Sequence, residues 1–349
     1  MTKLPFDPDA AAAPGAGVYG LPFTVDEAKV VLVPVPFEAT TSYGAGAADG
    51  PAAILEASHQ VDLFDVEIGK VYEPGIAMLD EDPRIRAWND EAKAAAEPII
   101  EAGGAGDDEA LLEKLALVNR RSEQVNAWVR ETVEKLLDQG KMACVIGGDH
   151  AVPFGAIEAY AARHPGLGIL HLDAHADLRD AYEGFTFSHA SIFHNVMERI
   201  PGVSRLVQVG IRDMGSAEYR YMQQSNGRIV AHFDAQLANE RFDGVTWNEQ
   251  VRRIVAELPQ QVYLSFDIDG LDPTLCPHTG TPVPGGLSFQ QAAALVAGVA
   301  RSGRTIVGLD LCEVAPGEEG DQWDGNVGAR LLYKMIGWAL RSQKLIQAP

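Results

Sequence analysis

This chain encodes an α/β protein, a three-layer α/β/α arrangement in which helices cover both faces of a parallel sheet, and two observations carry that reading. From residue 142 onward, short apolar runs alternate with longer segments of helical character, the pattern of repeated strand–helix units. Clusters of Asp, His and Gly stand where several of those apolar runs stop. Those positions would be the carboxyl ends of strands, where open parallel sheets bind their ligands.

Taken in order, Val30 to Val35 is the first strand candidate, closed by Pro36-Phe37. A loop from Glu38 to Gly50, rich in Thr, Ser and Gly, leads to Pro51, which opens a helix at the position proline favours. Gly75 to Leu79 is a second, shorter strand candidate. Residues 87–139 differ in being long, charged and helical, with a break around Gly103-Gly104 and a cap at Asp108. Leu111, Leu115, Val118, Val125 and Val129 then recur at roughly helical spacing. The segment reads as an inserted helical hairpin that serves as a packing or oligomer element, a lid or a spacer.

Further strands are expected at Met142–Ile146, Gly168–Leu172, Leu206–Val209, Ile229–Phe233, Val262–Phe266 and Thr305–Leu309. Helices are expected at Pro153–Arg163, His189–Arg199, Ala217–Gln224, Trp247–Leu258, Ser288–Arg301 and Val327–Arg341. With the two early candidates this makes about eight strands. No internal repeat and no low-complexity linker divides these units, so residues 1–349 read as one domain.

Composition narrows the function. A chain with 46% hydrophobic and 22% charged residues is of ordinary globular type. Its formal charge of -21 argues against a nucleic-acid or anionic-membrane partner and suits small cationic ligands. Cys144, Cys276 and Cys312 are scattered and form no C-x-x-C pair, so free buried thiols in a reducing compartment are expected. Met1 to Ala16 lacks the basic and apolar segments of a secretory leader. No window reaches the ~18 apolar residues of a membrane span. These features predict a cytoplasmic protein.

Three strand ends carry the chemistry. Gly147-Gly148-Asp149-His150 follows the run ending at Ile146; the glycines permit a tight turn, and their spacing matches neither common phosphate-binding loop. Asp173, His175 and Asp177 follow Leu172 at every second position. On a straight strand the outer two would stand about 13 Å apart at roughly 3.3 Å per residue. Either the chain curls there, or two ions share the ligands. Asp267 and Asp269 end the run through Phe266, and Asp272 before Pro273 reads as a turn residue. His150, Asp173, His175, Asp177, Asp267 and Asp269 suit Mn²⁺, Co²⁺, Ni²⁺ or Zn²⁺ better than Ca²⁺. Six ligands exceed one tetrahedral site, whereas two ions about 3.5–4 Å apart, sharing a hydroxide nucleophile, would use them all. Four carboxylates against two divalent cations also leave a neutral cluster. At a fourth strand end, Glu313 could anchor a cationic group or form a structural salt bridge.

Those motifs resemble the ureohydrolases, the family of arginase and agmatinase. The matching stretches are Gly147-Gly148-Asp149-His150, Asp173-Ala174-His175-Ala176-Asp177 and Ser265 to Pro273, with Val35-Pro36-Phe37, Thr40 to Tyr43 and Gly50-Pro51 resembling the family's first loop. The resemblance implies an arginase-like α/β/α fold, two Mn²⁺ ions with Ni²⁺ as the alternative, and hydrolysis of a guanidino compound to urea and an amine. It implies that His150, Asp173, Asp177 and Asp267 hold one ion, and that Asp173, His175, Asp267 and Asp269 hold the other. It marks His189 as a proton shuttle, Glu313 as the guanidinium anchor, and the protein as a homo-oligomer, trimer or hexamer. Asp177 is followed by Leu178 to Gly184, which looks like the loop of agmatinases, and Asp180 and Glu183 there would suit agmatine. Gly44-Ala45-Gly46 stands where agmatinases carry Arg-Pro-Gly, which keeps guanidine, substituted guanidines, guanidino acids and aminopropylagmatine as alternatives. A non-catalytic subunit of a hetero-oligomer is the remaining reading, and it would be expected to have lost ligands that are all present here.

Overall fold

The computed structural model describes residues 6–13, 15–318 and 321–349. Residues 1–5 and Pro14 of the stretch read above as lacking a leader lie outside them. The chain opens with strand β1 (Val30–Val35), helix α1 (Gly50–Ser58), the small antiparallel pair β2 (Phe64–Asp65) and β3 (Gly69–Lys70), and strand β4 (Ile76–Met78). Helices α2 (Pro83–Glu101) and α3 (Glu109–Asp138) form a hairpin. There follow β5 (Met142–Gly147), α4 (Phe154–Arg163), β6 (Leu167–Leu172), α5 (Ile192–Arg199), β7 (Val203–Ile211) and α6 (Ser216–Gln224). The chain continues through β8 (Ile229–Phe233), α7 (Asp234–Phe242), α8 (Trp247–Ala256), β9 (Gln261–Asp267), α9 (Phe289–Arg301), β10 (Thr305–Cys312) and α10 (Trp323–Ser342).

Eight strands form one parallel sheet in the order β4-β1-β5-β10-β9-β6-β7-β8. Consecutive residues of a strand face opposite sides, so β1 feeds two cores. Val30 and Leu32 belong to the apolar core that includes residues of α1, α8, α9 and α10, whereas Val31, Val33 and Val35 belong to the one that includes residues of α2, α3, α4 and α5. Every residue of β1, β5 and β6 is buried, as expected of strands covered on both faces. The strands that end in the sequence motifs, β5, β10, β9 and β6, are neighbours at the middle of the sheet. From β6 the chain runs outward through β7 and β8, then returns to place β9 on the other side of β6. That reversal leaves a crevice at the carboxyl ends, where ligands bind such sheets.

Most expected elements are present, with shifted ends. The hairpin begins at Pro83 rather than near residue 87, because Asp82 caps α2 by accepting the Arg84 amide at 2.9 Å. Helix α10 starts at Trp323, four residues before the expected Val327. Helix α7 was not expected; Leu237 is its only buried residue, too little for a readable apolar stripe. The three thiols are free and buried, as expected.

Candidate metal centre

The stretch after β6 resolves its geometric difficulty by curling. Asp177 has a left-handed backbone (φ 53), a conformation a non-glycine residue adopts at some energetic cost. Its carbonyl accepts the Phe193 and His194 amides, at 3.0 and 3.3 Å, from the first turn of α5. With the chain so bent, Asp173 Oδ2 and Asp177 Oδ2 approach the same atom, His150 Nδ1, at 3.2 and 3.6 Å. Asp267 Oδ2 joins them at 3.4 Å. On the other side, His175 Nδ1 lies 3.4 Å from Asp173 Oδ1 and 3.1 Å from Asp269 Oδ2. Asp173 therefore offers one carboxylate oxygen to each histidine. Of the two possibilities considered from sequence, the curl is present, and Asp173 stands between the two histidines.

Hydrogen bonds aim these groups. Ser265 Oγ donates to Asp310 at 2.9–3.0 Å, so it accepts from His150 Nε2–H at 2.9 Å. That assigns the His150 tautomer and leaves the Nδ1 lone pair facing the carboxylates. His171 is assigned by the same logic: Gln208 Nε2 donates to its Nδ1 at 2.9 Å, so Nε2–H donates to Asp173 Oδ2 at 2.8 Å. His171 is thus a neutral donor to the carboxylate that stands between His150 and His175, and burial holds its pKa below the usual histidine value. Asp267 Oδ1 accepts the Asp269 amide at 2.8 Å and Asp269 Oδ1 accepts the Ala174 amide at 3.0 Å, each leaving the second oxygen toward a histidine. Gly148 and Gly270 are required by close approach. A Cβ would stand 2.0 Å from the Phe37 carbonyl oxygen at the first and 2.7 Å from the Asp173 amide at the second.

The donor set fits divalent cations. The ligand atoms of His150, Asp173 and Asp177 lie within 4.8 Å of one another, as do those of Asp173, His175 and Asp269. All four aspartates are buried. Burial pushes the Asp177 and Asp267 carboxyls well above the usual range, and neighbouring Asp173 and Asp269 push them further. His175 goes the other way: burial opposes its charge, but Asp269 and Asp173 raise its pKa to about 12. So many buried carboxylates demand positive charge, and oxygen and imidazole donors at these separations offer it a place.

Glu313 also has a left-handed backbone (φ 61) just after β10. Its Oε1 accepts the His150 amide at 2.9 Å, and its own amide donates to the Gly148 carbonyl at 2.9 Å. The Glu313 carboxylate is buried beside Asp267, and burial raises its pKa first. His189 opens a short 3₁₀ turn capped by Ser188, with the Tyr182 ring 5.9 Å away. Burial lowers its pKa to about 4, and His175 and His150 oppose its charge further. Glu183 again has a left-handed backbone (φ 53), and its Oε2 is buried without a hydrogen-bond partner. The Asp180 side chain is 95% exposed and stands 3.6 Å from His194 Nδ1. Asp272 is a turn residue, accepting the Thr274 amide at 2.9 Å.

Sequence reasoning missed the groups behind the ligands. Gln208, His171, Ser265 and Asp310 are cross-strand partners in one row of the sheet, through β7, β6, β9 and β10. Only His171, two residues before Asp173 on the same strand face, carried a local signal.

Fold and site together define a metal-dependent hydrolase of the arginase-like α/β/α class, with facing ligand clusters that share one aspartate. The chain belongs to the arginase family, whose model matches residues 28–337. It is therefore a ureohydrolase, a C–N hydrolase of guanidino compounds, in a family characterised by binuclear metal sites. It is 34% identical over 314 residues to the N(1)-aminopropylagmatine ureohydrolase of Thermus thermophilus, covering 89% of this chain and 90% of that one. The fold is also that of the agmatine ureohydrolase of Thermoplasma volcanium, with a TM-score of 0.70, 21% identity and coverage of 93% and 94%. It is likewise that of Trypanosoma cruzi formiminoglutamase with two Mn²⁺, with a TM-score of 0.67, 19% identity and coverage of 90% and 95%. Among the described residues no helix is long and apolar enough to cross a membrane.

Proposed function

We propose that the protein hydrolyses agmatine, or its aminopropyl derivative, to urea and the corresponding amine. The supporting observation is the pair of histidine nitrogens, one on each side of Asp173, each facing carboxylates at 3.1–3.6 Å. His150, Asp173, Asp177 and Asp267 would hold one ion, and Asp173, His175, Asp267 and Asp269 the other. Mn²⁺ is the preferred metal, a choice supported by the oxygen-rich donor set and by the metal of the Trypanosoma cruzi neighbour, with Ni²⁺ the alternative. Bound there, the ions supply Lewis acidity and a water whose pKa is lowered toward neutrality.

The remaining steps fall to the chain's own residues. Glu313 accepts guanidinium N–H groups and orients the central carbon toward the cluster. Water adds to that carbon and the bond to the alkyl nitrogen breaks. His189, which burial keeps in its neutral, proton-accepting form, takes the proton released by water and returns it to the departing amine, which leaves as an ammonium. Protons and charge balance: guanidinium plus water gives urea plus ammonium. Glu183, with its unpartnered oxygen, and Asp180 receive the cationic far end of the substrate. The aminopropyl form is carried as the second reading because the Thermus thermophilus relative is named for it.

The proposal takes residues 1–349 as one ureohydrolase domain in a cytoplasmic homo-oligomer; the free buried thiols agree with a reducing compartment. The test is urea release by Mn²⁺- and Ni²⁺-loaded enzyme from agmatine, aminopropylagmatine, arginine, guanidine, guanidinobutyrate and guanidinopropionate. The two cationic amines are expected to give the highest kcat/KM. Preference for guanidine or a guanidino acid would overturn the substrate assignment.

A further inference from the structure

The hairpin α2–α3 supplies none of the groups used above, yet it grips two loops that belong to the site. The first is the loop after β1. Glu38 there is buried, and its amide donates to Asn89 Oδ1 of α2 at 2.8 Å. Lys93 of α2 pairs with Glu38 Oε1, while Oε2 accepts the Gly46 and Ala48 amides at 2.7 and 3.1 Å. A carboxylate anchored on the hairpin thus folds its own loop around itself. The same loop reaches across to donate from Gly44 to the Gly280 carbonyl at 3.1 Å. A Cβ on Gly280 would lie 3.6 Å from Glu313 Oε2, so this strand of chain passes beside the proposed guanidinium anchor.

The second loop is the one that follows Asp177. Phe185 is fully buried, and its neighbours are Ala95, Ala96 and Ile99 of α2 and Val118 of α3. The small core between the two helices is completed by a residue of the site loop. Asn119 of α3 brackets that residue: its Nδ2 donates to the Gly184 carbonyl at 3.3 Å and its Oδ1 accepts the Thr186 amide at 2.9 Å. Glu183, held in its left-handed conformation, immediately precedes this clamped segment. The apolar plug fixes where the loop lies, and the two-pronged amide fixes its register.

We propose that the hairpin is a positioning device for substrate, holding the loops around Glu38 and Phe185 so that the cationic tail of a guanidino substrate meets Glu183 in a fixed place. This rests on the reading of residues 178–184 as the substrate-selecting loop. Asn119, Phe185, Asn89 and Lys93 are positioning residues, and they govern KM and the preference between tail lengths. The chemical step belongs to the metal cluster and should be left nearly alone, because uniform binding changes KM without kcat.

The test uses the full-length, Mn²⁺-loaded enzyme and steady-state urea release from agmatine and from aminopropylagmatine. Asn119→Ala and Phe185→Ala are expected to raise KM about tenfold with kcat within about twofold, to change the ratio of kcat/KM between the two substrates, and to retain the wild-type metal content. Phe185→Leu, which refills the pocket, should restore most of the loss. If Phe185→Ala does not fold, Asn119→Ala and Lys93→Met carry the same expectation. Unchanged KM in these variants, or a fall in kcat accompanied by metal loss, would overturn the positioning role. Glu183→Gln separates the two proposals. A raised KM in Glu183→Gln with none in Asn119→Ala and Phe185→Ala overturns the hairpin alone. No effect of Glu183→Gln on either substrate overturns the reading of the loop on which it rests.

Discussion

The metal cluster and the loop beside it are built on opposite plans. Each carboxylate of the cluster that bonds a backbone amide keeps its other oxygen toward a histidine, and the His150 and His171 rings are aimed by Ser265 and Gln208. Those partners belong to buried strands in the middle of the sheet. In the loop after Asp177, Glu183 has an oxygen with no partner and Asp180 stands in solvent. What holds that loop comes from helices outside the sheet. On the proposed function, the difference puts reaction chemistry and substrate choice in separate parts of the molecule, so substitutions should divide accordingly.

The sharpest way to break that division is Asp173→Asn. One oxygen of Asp173 faces each histidine, so neutralising it damages both halves of the cluster at once. Turnover is expected to fall by at least about 10³-fold, to the level left when a metal-based term is lost. Metal analysis should show fewer than two ions per chain, and excess Mn²⁺ should not restore activity. Wild-type turnover in this variant would remove the cluster from the reaction.

A milder change lies one layer behind. His171→Leu keeps similar bulk but removes the N–H that Asp173 Oδ2 accepts. Loss of such an orienting donor costs about 10–100-fold in metal affinity or activity. Here the loss should be in affinity and should reverse when Mn²⁺ is raised, which separates His171 from a true ligand. A metal titration that matched wild type would show that the row through Gln208, His171, Ser265 and Asp310 is inert scaffolding.

That row also marks where the sequence stopped being legible. The six proposed ligands could be read because each cluster lies within a few residues of a strand end, and apolar runs announce strands locally. The alternation of elements gave the sheet for the same reason. Gln208, Ser265 and Asp310 are scattered over about a hundred residues and meet only once β7, β6, β9 and β10 are in register. Nothing local distinguishes Gln208 from a solvent-facing glutamine. Phe185 is the same case: it reads as one more aromatic in a loop until α2 and α3 surround it. Asp177 was legible as a residue type, but the left-handed turn that brings it to His150 was not.

The smallest effect should come from a site that serves the hairpin and leaves the chemistry untouched. Asp82 caps α2, pairs with Arg84 and accepts Trp128 Nε1–H from α3 at 3.0 Å, which closes the two helices on each other. The Arg84 guanidinium is the main cause that lowers its pKa to about 2. A carboxyl whose folded value lies below its unfolded value stabilises the fold above the unfolded pKa, near 4, and that contribution disappears as pH falls from about 4 to about 2. Asp82→Ala removes cap and charge together and should cost about 1 kcal/mol at neutral pH. Asp82→Asn keeps a capping side chain and removes the charge, so its cost should be smaller and should vanish toward pH 2. Both variants should keep wild-type kcat near neutrality, because Asp82 touches neither site loop. The measurement is the difference in denaturation midpoint between wild type and each variant of the metal-free protein, followed from pH 7 down to pH 2. A wild-type advantage over Asp82→Asn that was undiminished at pH 2 would show that the cap acts through shape rather than charge.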